Sequence, residues 1–336
     1  MVQHRVSLRH PARDHLENPM TLDELFALSK VPTPIELSQE DLTRLYWKHR
    51  GLLKSQGRDQ RFWDATNKNL RLAYERLDEK ERQLGKAYSI IQEDLQVATR
   101  IQAALLPVPT SIMERDLEIA VYHKQLTEVG GDYYDFFTDE SEAADGRNAD
   151  GYAIGVFDIS GHGVSAALVM TYLKAMFAQQ MLRSTSPKDI VRSVNEAAFD
   201  FLRGIKKYAT VNFVKFASKK IQYVCGGGFG LVVHGQEVFH FERKDPFLGL
   251  RDRAFRQYEI PFVTGDLLAL YTDGMVESQD AEGQDYTARR LNDLIALHAD
   301  RAVGEIVQCC VDDYRAFRAT DIDDVTLLVM RRKEAL

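Results

Sequence analysis

Short acidic signatures beside strand-like runs are the residues of this chain best suited to chemistry. Each places a carboxylate on a loop, usually next to glycine: Gly130-Gly131-Asp132 with Asp135, Asp158-Ile159-Ser160-Gly161-His162-Gly163, Thr272-Asp273-Gly274, and Asp323-Asp324 before Val325-Thr326. A fold that gathers carboxylates from such distant positions makes a cage of hard oxygen ligands, which suits Mg²⁺ or Mn²⁺. Metal-assisted chemistry is therefore the first hypothesis.

A simpler explanation exists for the loop that contains Asp158. Asp158 follows an apolar run, and the glycines after it permit a sharp turn into a predicted helix. Asp158 or Ser160 could cap that helix, with His162 as a turn residue. This explanation covers one loop and leaves the other acidic loops unexplained.

Composition and charge exclude several classes of protein. With 336 residues and 45% hydrophobic content, the chain can bury a large core in two or three structural units. A net charge of −7 argues against a nucleic-acid partner, and the pairs Lys206-Lys207 and Lys219-Lys220 are predicted to be solvated. Cys225, Cys309 and Cys310 lack the spacing of a disulfide framework or zinc site, which predicts reduced, structural cysteines.

The chain shows no sign of a membrane segment. Its longest apolar helical stretch, Val164 to Leu182, is interrupted by Lys174, and a bilayer span needs about 20 apolar residues. The first eighteen residues contain no apolar core of a secretory signal. We expect no membrane partner and a cytoplasmic location.

Strand-like and helix-like runs occur in clusters after residue 110. The predicted strands are Leu117 to Tyr122, Tyr152 to Phe157, Val211 to Phe216, Ile221 to Val224, Leu231 to Val233, Leu267 to Tyr271 and Val325 to Met330. The predicted helices are Val164 to Leu182, Pro187 to Leu202, Ala288 to His298 and Val303 to Phe317. Clusters of this kind favour an α+β fold over a regular βαβ repeat. Residues 139–151 are predicted to form a surface loop.

A heptad repeat precedes this region. Its seam consists of Leu70, Tyr74, Leu77, Leu84, Tyr88, Ile91, Leu95, Ala98 and Leu105, with Glu81 and Gln102 as polar members. The pattern predicts a coiled coil and hence a homodimer, although such a stripe can also pack against its own domain. Polar seam residues weaken packing and help to fix register.

Prolines define the end of the repeat and with it the predicted domains. Pro107 and Pro109 should terminate the helix, because proline lacks a backbone donor and restricts its predecessor. We therefore predict an N-terminal helical or partly ordered regulatory region at 1–60, a coiled-coil linker helix at 61–109, and a third domain at 110–336.

The order and wording of the acidic motifs resemble the metal-dependent protein phosphatases (PPM, type 2C), in the bacterial SpoIIE/RsbU-like branch. The matching segments are 128–136, 157–168, 265–274 and 323–328, and 101–107 resembles the end of the family's linker helix. This resemblance implies a four-layer α-β-β-α sandwich with metals at one edge of the sheets.

The resemblance also implies roles for individual residues. The catalytic metal ligands would be Asp132, Asp158, Asp273 and Asp323, with Asp158 bridging two divalent ions, Mn²⁺ or Mg²⁺. The Ile159 carbonyl is a further candidate ligand, and Asp324 would either ligate a metal or orient Asp323. The implied reaction is hydrolysis of phosphoserine or phosphothreonine by a metal-activated water. His162 would be either a general acid or a turn residue.

This chain departs from the family pattern at one hairpin. Cys225 to Gly230 replaces an Asn-Ala-Gly-His phrase of many relatives, so substrate docking there would differ. We assign no phosphate-binding arginine. Cys309 to Arg315 has the spacing of a cysteine-phosphatase loop but lacks its glycines, and Asp321 to Val325 precedes an apolar strand where an aspartyl-phosphate motif should follow one.

The resulting prediction is a serine/threonine phosphatase acting on a phosphorylated STAS-domain anti-sigma-factor antagonist in a partner-switching pathway. An upstream activator would bind the N-terminal or coiled-coil region. In that hypothesis the polar seam residues let the helix shift, and Val164 to Leu182 transmits the change to Asp158. The alternatives are a catalytically weak phosphatase-like signalling module and a metal-dependent nuclease, the latter disfavoured by the acidic charge.

Overall fold

The computed structural model describes residues 39–53, 60–138, 152–184, 186–242, 244–251 and 254–334. The predicted loop at 139–151 and most of the predicted N-terminal region lie outside these residues. The chain forms two compact units, one ending at Lys86 and the other beginning at Ala87. Within the described ranges, no helix has the length and apolar content needed to cross a bilayer.

Two helices make up the described part of the first unit: α1 (Gln39–Leu53) and the first half of α2 (Gln60–Leu105). Trp63 of α2 lies near Tyr46 and His49 of α1, with ring centroids 6.4 and 6.0 Å apart. The middle of the heptad seam is exposed, and Leu84 keeps 71% of its surface accessible. α2 ends two residues before Pro107, as proline chemistry predicts.

The second unit contains two antiparallel sheets, each of five strands among the described residues. Sheet I has the order β1-β10-β9-β6-β7 and sheet II the order β2-β3-β4-β5-β8. The strands are β1 (Leu117–Lys124), β2 (Tyr133–Thr138), β3 (Tyr152–Phe157), β4 (Val211–Phe216), β5 (Lys220–Gly226), β6 (Phe229–His234), β7 (Glu237–His240), β8 (Tyr258–Pro261), β9 (Leu267–Tyr271) and β10 (Val325–Arg332).

Helices cover the outer faces of both sheets. After α3 (Ser111–Asp116), a short helix whose Met113 is buried in the apolar cluster between the sheets, the covering helices are α4 (Val164–Met181), α5 (Pro187–Gly204), α6 (Asp273–Val276), α7 (Ala288–Leu297) and α8 (Val303–Phe317). Helices α4 and α5 share one apolar cluster with sheet II, where Phe177 stacks on Phe213 at 5.4 Å. Helices α7 and α8 share another with sheet I, where Ile306 and Val329 are fully buried.

A third apolar cluster lies between the sheets and includes Val214 of β4 and Leu270 of β9. Central strands are therefore buried on both faces, which explains why they are continuous apolar runs rather than alternating ones. The three clusters separate four layers, helix, sheet, sheet and helix. The predicted α+β fold of the PPM type is confirmed.

The sequence patterns identified the buried elements and missed the short or polar ones. Tyr152–Phe157, Val211–Phe216, Leu267–Tyr271 and Val303–Phe317 occur with the predicted bounds. The missed elements are β2, β7, β8, α3 and α6. β2 contains Asp135, and β7 and β8 have only four residues each, so none presents an apolar run long enough to stand out.

Candidate active site

Asp132 lies just before β2 and is almost completely buried. Its Oδ2 atom accepts hydrogen bonds from the hydroxyls of Thr272 (2.6 Å) and Thr326 (2.7 Å). Burial raises the pKa of Asp132 well above its usual value, and the charge of Asp158 adds to that rise, while the two hydroxyls oppose it. Because the threonines hold Oδ2, the candidate metal-binding atom of Asp132 is Oδ1.

Asp158 follows β3 on a loop whose backbone is hydrogen-bonded to the segment just before β4. Its N–H donates to Thr210 Oγ1 (3.0 Å), and Thr210 N–H donates to the Asp158 carbonyl (2.8 Å). Ile159 forms an antiparallel bridge with Ala209. A Cβ atom at position 131 would lie 2.6 Å from the Ile159 carbonyl oxygen, so glycine is needed there. The sheet thus fixes the backbone of both Asp158 and Ile159.

Asp323 and Asp324 stand immediately before β10 and differ in their environment. The buried Asp324 carboxylate accepts hydrogen bonds from Leu126 N (2.7 Å) and Gly131 N (2.6 Å), one at each oxygen. Asp323 is half-buried, and its Oδ1 accepts from Asp324 N (2.8 Å). Since backbone donors occupy both oxygens of Asp324, this geometry favours a loop-orienting role for Asp324 and leaves ligation to Asp323.

Asp273 begins the short helix α6, directly after β9. The carboxylates of this edge repel one another. Burial, followed by the charges of Asp273, Asp323, Asp324 and Glu277, raises the pKa of Asp158 to about 8. A cation placed among these groups would remove that repulsion.

The cluster is open in its present form. Among the described residues, no three carboxylate, imidazole or thiolate side chains are arranged as a closed metal cage. Mg²⁺ usually keeps several of its waters and binds through one or two carboxylates. The oxygen-only donors and their mutual repulsion therefore fit hydrated divalent ions.

Lysines near this cluster are bound rather than solvated. Lys174 of α4 pairs with buried Asp135 of β2 at 2.6 Å. Lys207 is half-buried and donates to the carbonyl of Ser160, beside the Asp158 loop. The prediction of a solvated Lys206-Lys207 pair holds for exposed Lys206 and is wrong for Lys207. Both lysine contacts join residues distant in sequence, so no local pattern signals them.

The remaining candidate groups have less defined surroundings. His162 is exposed, and its charge lowers the pKa of Asp323 against the larger effect of burial, which raises it. Cys309 to Arg315 lies inside helix α8 and therefore does not form the phosphate-binding loop of a cysteine phosphatase. Burial raises the pKa of the neighbouring Cys310 to about 12, as expected for a structural cysteine. Asp321 pairs with Lys124 and Arg318, both at 2.6 Å, as a structural residue would.

Thr272, Thr326 and Gln102 are parts of this edge that the sequence argument did not assign to the site. The two threonines stood inside the acidic signatures, so a signal for them existed. Gln102 was assigned to the heptad seam, yet it is buried against Gly130.

Two helix-flanked sheets with carboxylates at one edge define a phosphatase fold of the PP2C type. The structure resembles that of the SiaA-PP2C domain of Pseudomonas aeruginosa, with a TM-score of 0.64 and 25% identity over 73% of this chain and 98% of that one. The family model for stage II sporulation protein E (SpoIIE) matches residues 148–333. This chain therefore belongs to the SpoIIE family.

Two characterised relatives come from Bacillus subtilis. Phosphoserine phosphatase RsbU is 25% identical over 72% of this chain and 71% of its own length. Phosphoserine phosphatase RsbP is 24% identical over 64% of this chain and 51% of its own length. The family resemblance and the enzyme class predicted from the motifs, a protein phosphatase, are confirmed.

Proposed function

We propose that this protein is a metal-dependent serine/threonine phosphatase that hydrolyses a phosphoserine or phosphothreonine on a regulatory protein. The observation that carries the proposal is the meeting of four sequence-distant aspartate motifs at one edge of the two sheets, where burial, followed by the charges of the neighbouring carboxylates, raises the pKa of Asp158 to about 8. Such a cluster is stabilised by cations and has oxygen donors suited to Mn²⁺ or Mg²⁺.

In this proposal Asp132, Asp158, Asp273 and Asp323 hold two divalent ions, and the Ile159 carbonyl adds a ligand. The ions, when bound, activate water and neutralise the phosphoryl charge of an in-line displacement. Two of these carboxylates, Asp158 and Asp273, come just after strands β3 and β9, and the other two, Asp132 and Asp323, come just before strands β2 and β10.

Supporting residues hold those ligands in place. Thr272 and Thr326 keep Asp132 in one orientation, and Asp324 fixes the loop before it. Supporting contacts of this kind typically change metal affinity or activity by about 10- to 100-fold when removed.

The proposed substrate is a phosphorylated STAS-domain anti-sigma-factor antagonist in a partner-switching pathway. The phosphoserine phosphatases RsbU and RsbP among the relatives support a phosphoserine substrate. The STAS domain itself rests on analogy with the family. A substrate of this kind would place the enzyme in the cytoplasm.

Phosphate release from a phosphoserine STAS protein is the direct test. We expect turnover with Mn²⁺ or Mg²⁺, loss of turnover in EDTA, and recovery when metal is restored. A casein-type phosphoprotein serves as the control for substrate preference. Metal binding by calorimetry without turnover of either substrate would favour the catalytically weak signalling module, and turnover of the control alone would contradict the STAS assignment.

The domain organisation forms part of the same proposal: a regulatory region at 1–60, a linker helix at 61–109 and the phosphatase domain at 110–336. The exposed middle of the α2 seam supports pairing with a second copy of the chain, because contiguous exposed apolar stripes usually mark interfaces. An upstream activator would act on this region.

Dimerisation through the seam makes a specific prediction. Leu84→Glu should convert a dimer into a monomer in analytical ultracentrifugation, because it puts a charge in the apolar seam. Gln92→Glu adds the same charge at an exposed position off the seam and should leave the dimer intact. A wild-type monomer at all concentrations would contradict the coiled-coil dimer.

A further inference from the structure

The last turns of α2 contact the loop that leads into Asp132. Gln102 is 3% exposed, and its side-chain amide binds the backbone of Gly130 twice. Its Nε2 donates to the Gly130 carbonyl (2.8 Å), and its Oε1 accepts from Gly130 N–H (3.1 Å). This two-bond contact defines both the distance and the orientation of the loop backbone relative to the helix.

The burial of Gln102 is not explained by apolar packing. Its neighbour Ile101 is 57% exposed, so the sequence turns a polar side chain inward and an apolar one outward at this point. A buried amide costs free energy unless it is hydrogen-bonded, and here both of its polar atoms are. Gln102 is therefore held at this position by its hydrogen bonds to the Gly130 backbone and not by apolar packing.

A second side chain of the same helix acts on the same loop. The Thr99 hydroxyl, one turn before Gln102, lies 2.7 Å from the carbonyl oxygen of Glu128 and 2.9 Å from that of Leu95 in its own helix, and the Glu128 contact is the shorter. Thr99 and Gln102 thus bind carbonyls two residues apart, so the helix follows the loop over Glu128 to Gly130.

The other side of the loop is closed by Asp324. Its carboxylate accepts from Gly131 N–H at 2.6 Å, and a Cβ atom at position 130 would lie 2.4 Å from Asp324 Oδ2. Gly130 is therefore held between Gln102 and Asp324, two residues before Asp132. A displacement of the helix by one residue would rotate Gln102 by about 100° and break both bonds.

We propose that Gln102 is a positioning residue of the metal centre, which makes the C-terminal turns of α2 part of the site. By clamping Gly130, Gln102 holds Asp132 where its Oδ1 can bind a divalent ion. The inference rests on the proposed function and adds a route of regulation to it. That route runs from α2 through Gly130 to Asp132 and differs from the predicted route through Val164 to Leu182.

The test is titration of the full-length protein with Mn²⁺ alone, followed by calorimetry. Gln102→Met keeps the length of the side chain and removes both bonds, and we expect Mn²⁺ binding to weaken about 10- to 100-fold. Thr99→Val, a milder change, should weaken it in the same direction by a few-fold. Gln96→Met, at an exposed position on the same helix, should bind Mn²⁺ like wild type.

Thermal unfolding with and without Mn²⁺ separates positioning from a merely structural role. Loss of the clamp should shrink the Mn²⁺-induced rise in melting temperature, and phosphate release should recover at high Mn²⁺. A lower melting temperature with unchanged Mn²⁺ affinity in Gln102→Met and Thr99→Val would overturn the clamp and leave the proposed function intact. Failure of the wild-type protein itself to bind Mn²⁺ would overturn both.

Discussion

Asp158→Asn should abolish phosphate release and at the same time make the metal-free protein more stable at about pH 8. The loss of activity follows from removing the proposed bridging ligand, and metal ions contribute several kcal/mol of charge stabilisation, so we expect a drop of at least about 10³-fold. The gain in stability follows from removing a carboxylate whose charged form is disfavoured first by burial and then by the repulsion of neighbouring carboxylates. Opposite effects on activity and stability mark a residue selected for function.

The raised pKa of Asp158 determines whether the metal-free protein gains or loses stability as pH rises. The pKa of Asp158 is raised from 3.8 to about 8 in the folded protein. Between these values the unfolded chain has lost the proton that the folded chain keeps, so the free energy of unfolding falls as pH rises from about 4 to about 8. Each unit of pKa difference corresponds to about 1.4 kcal/mol, so the difference of about four units sets an upper limit of about 6 kcal/mol on the change in the free energy of unfolding.

Urea unfolding in EDTA at about pH 5 and about pH 8 measures the effect. Wild type should lose stability between the two conditions, and Asp158→Asn should lose much less. Asp300→Asn changes an exposed aspartate and should follow wild type at both values. Full activity of Asp158→Asn, or a stability at pH 8 below that of wild type, would contradict the assignment.

Lys174→Met should destabilise the phosphatase domain by about 3 kcal/mol, because removing one partner of a largely buried ion pair leaves the other charge uncompensated. Lys174 of α4 is the partner of Asp135 in β2, at 2.6 Å, and the Asp135 side chain is only 6% exposed. Burial is the main influence on Asp135 and raises its pKa, while Lys174 opposes that rise.

A double variant distinguishes this pair from general loss of packing. Asp135→Asn combined with Lys174→Met should recover much of the lost stability, since the buried charge is then gone. Lys219→Met, at an exposed position, should change the urea midpoint little. If the double variant were as unstable as the sum of its single variants, the pair would not be coupled.

Helices and strands were predicted most accurately from the sequence where their own apolar residues account for their burial. β9 (Leu267–Tyr271) is buried along its whole length, so its apolar run was sufficient to identify it. β2 was missed because Asp135 interrupts its apolar pattern, and the main compensation for burying this carboxylate is the ion pair with the distant Lys174. A local pattern cannot include a partner that is 39 residues away.

At the candidate site, too, the local motifs were recognised from the sequence, whereas contacts between distant residues were not. The carboxylates were recognised because they stand in short motifs with fixed wording, and their ligand roles remain predictions. The contacts that hold them join residues 140 and 194 positions apart, as between Asp132 and Thr272 and between Asp132 and Thr326. Gln102 lies on the predicted seam, and at the end of α2 the seam residues Leu95, Ala98 and Leu105 are also partly buried. The heptad spacing therefore placed Gln102 on the inward face, but it could not identify Gly130 as its partner.

The two threonine contacts of Asp132 also bear on how the sheets are aligned. Asp132 leads into β2 of sheet II, whereas Thr272 follows β9 and Thr326 lies in β10, both of sheet I. The cluster between the sheets is largely apolar, and apolar contacts are non-directional, so they tolerate sliding. Asn212 of β4, which donates to the Phe229 carbonyl of β6 at 2.7 Å, is a further polar contact between the sheets. Buried hydrogen bonds have strict geometry, so the two threonine contacts and the Asn212 contact restrict how one sheet can move against the other. An aspartate proposed for catalysis therefore also helps to align the two sheets of the sandwich.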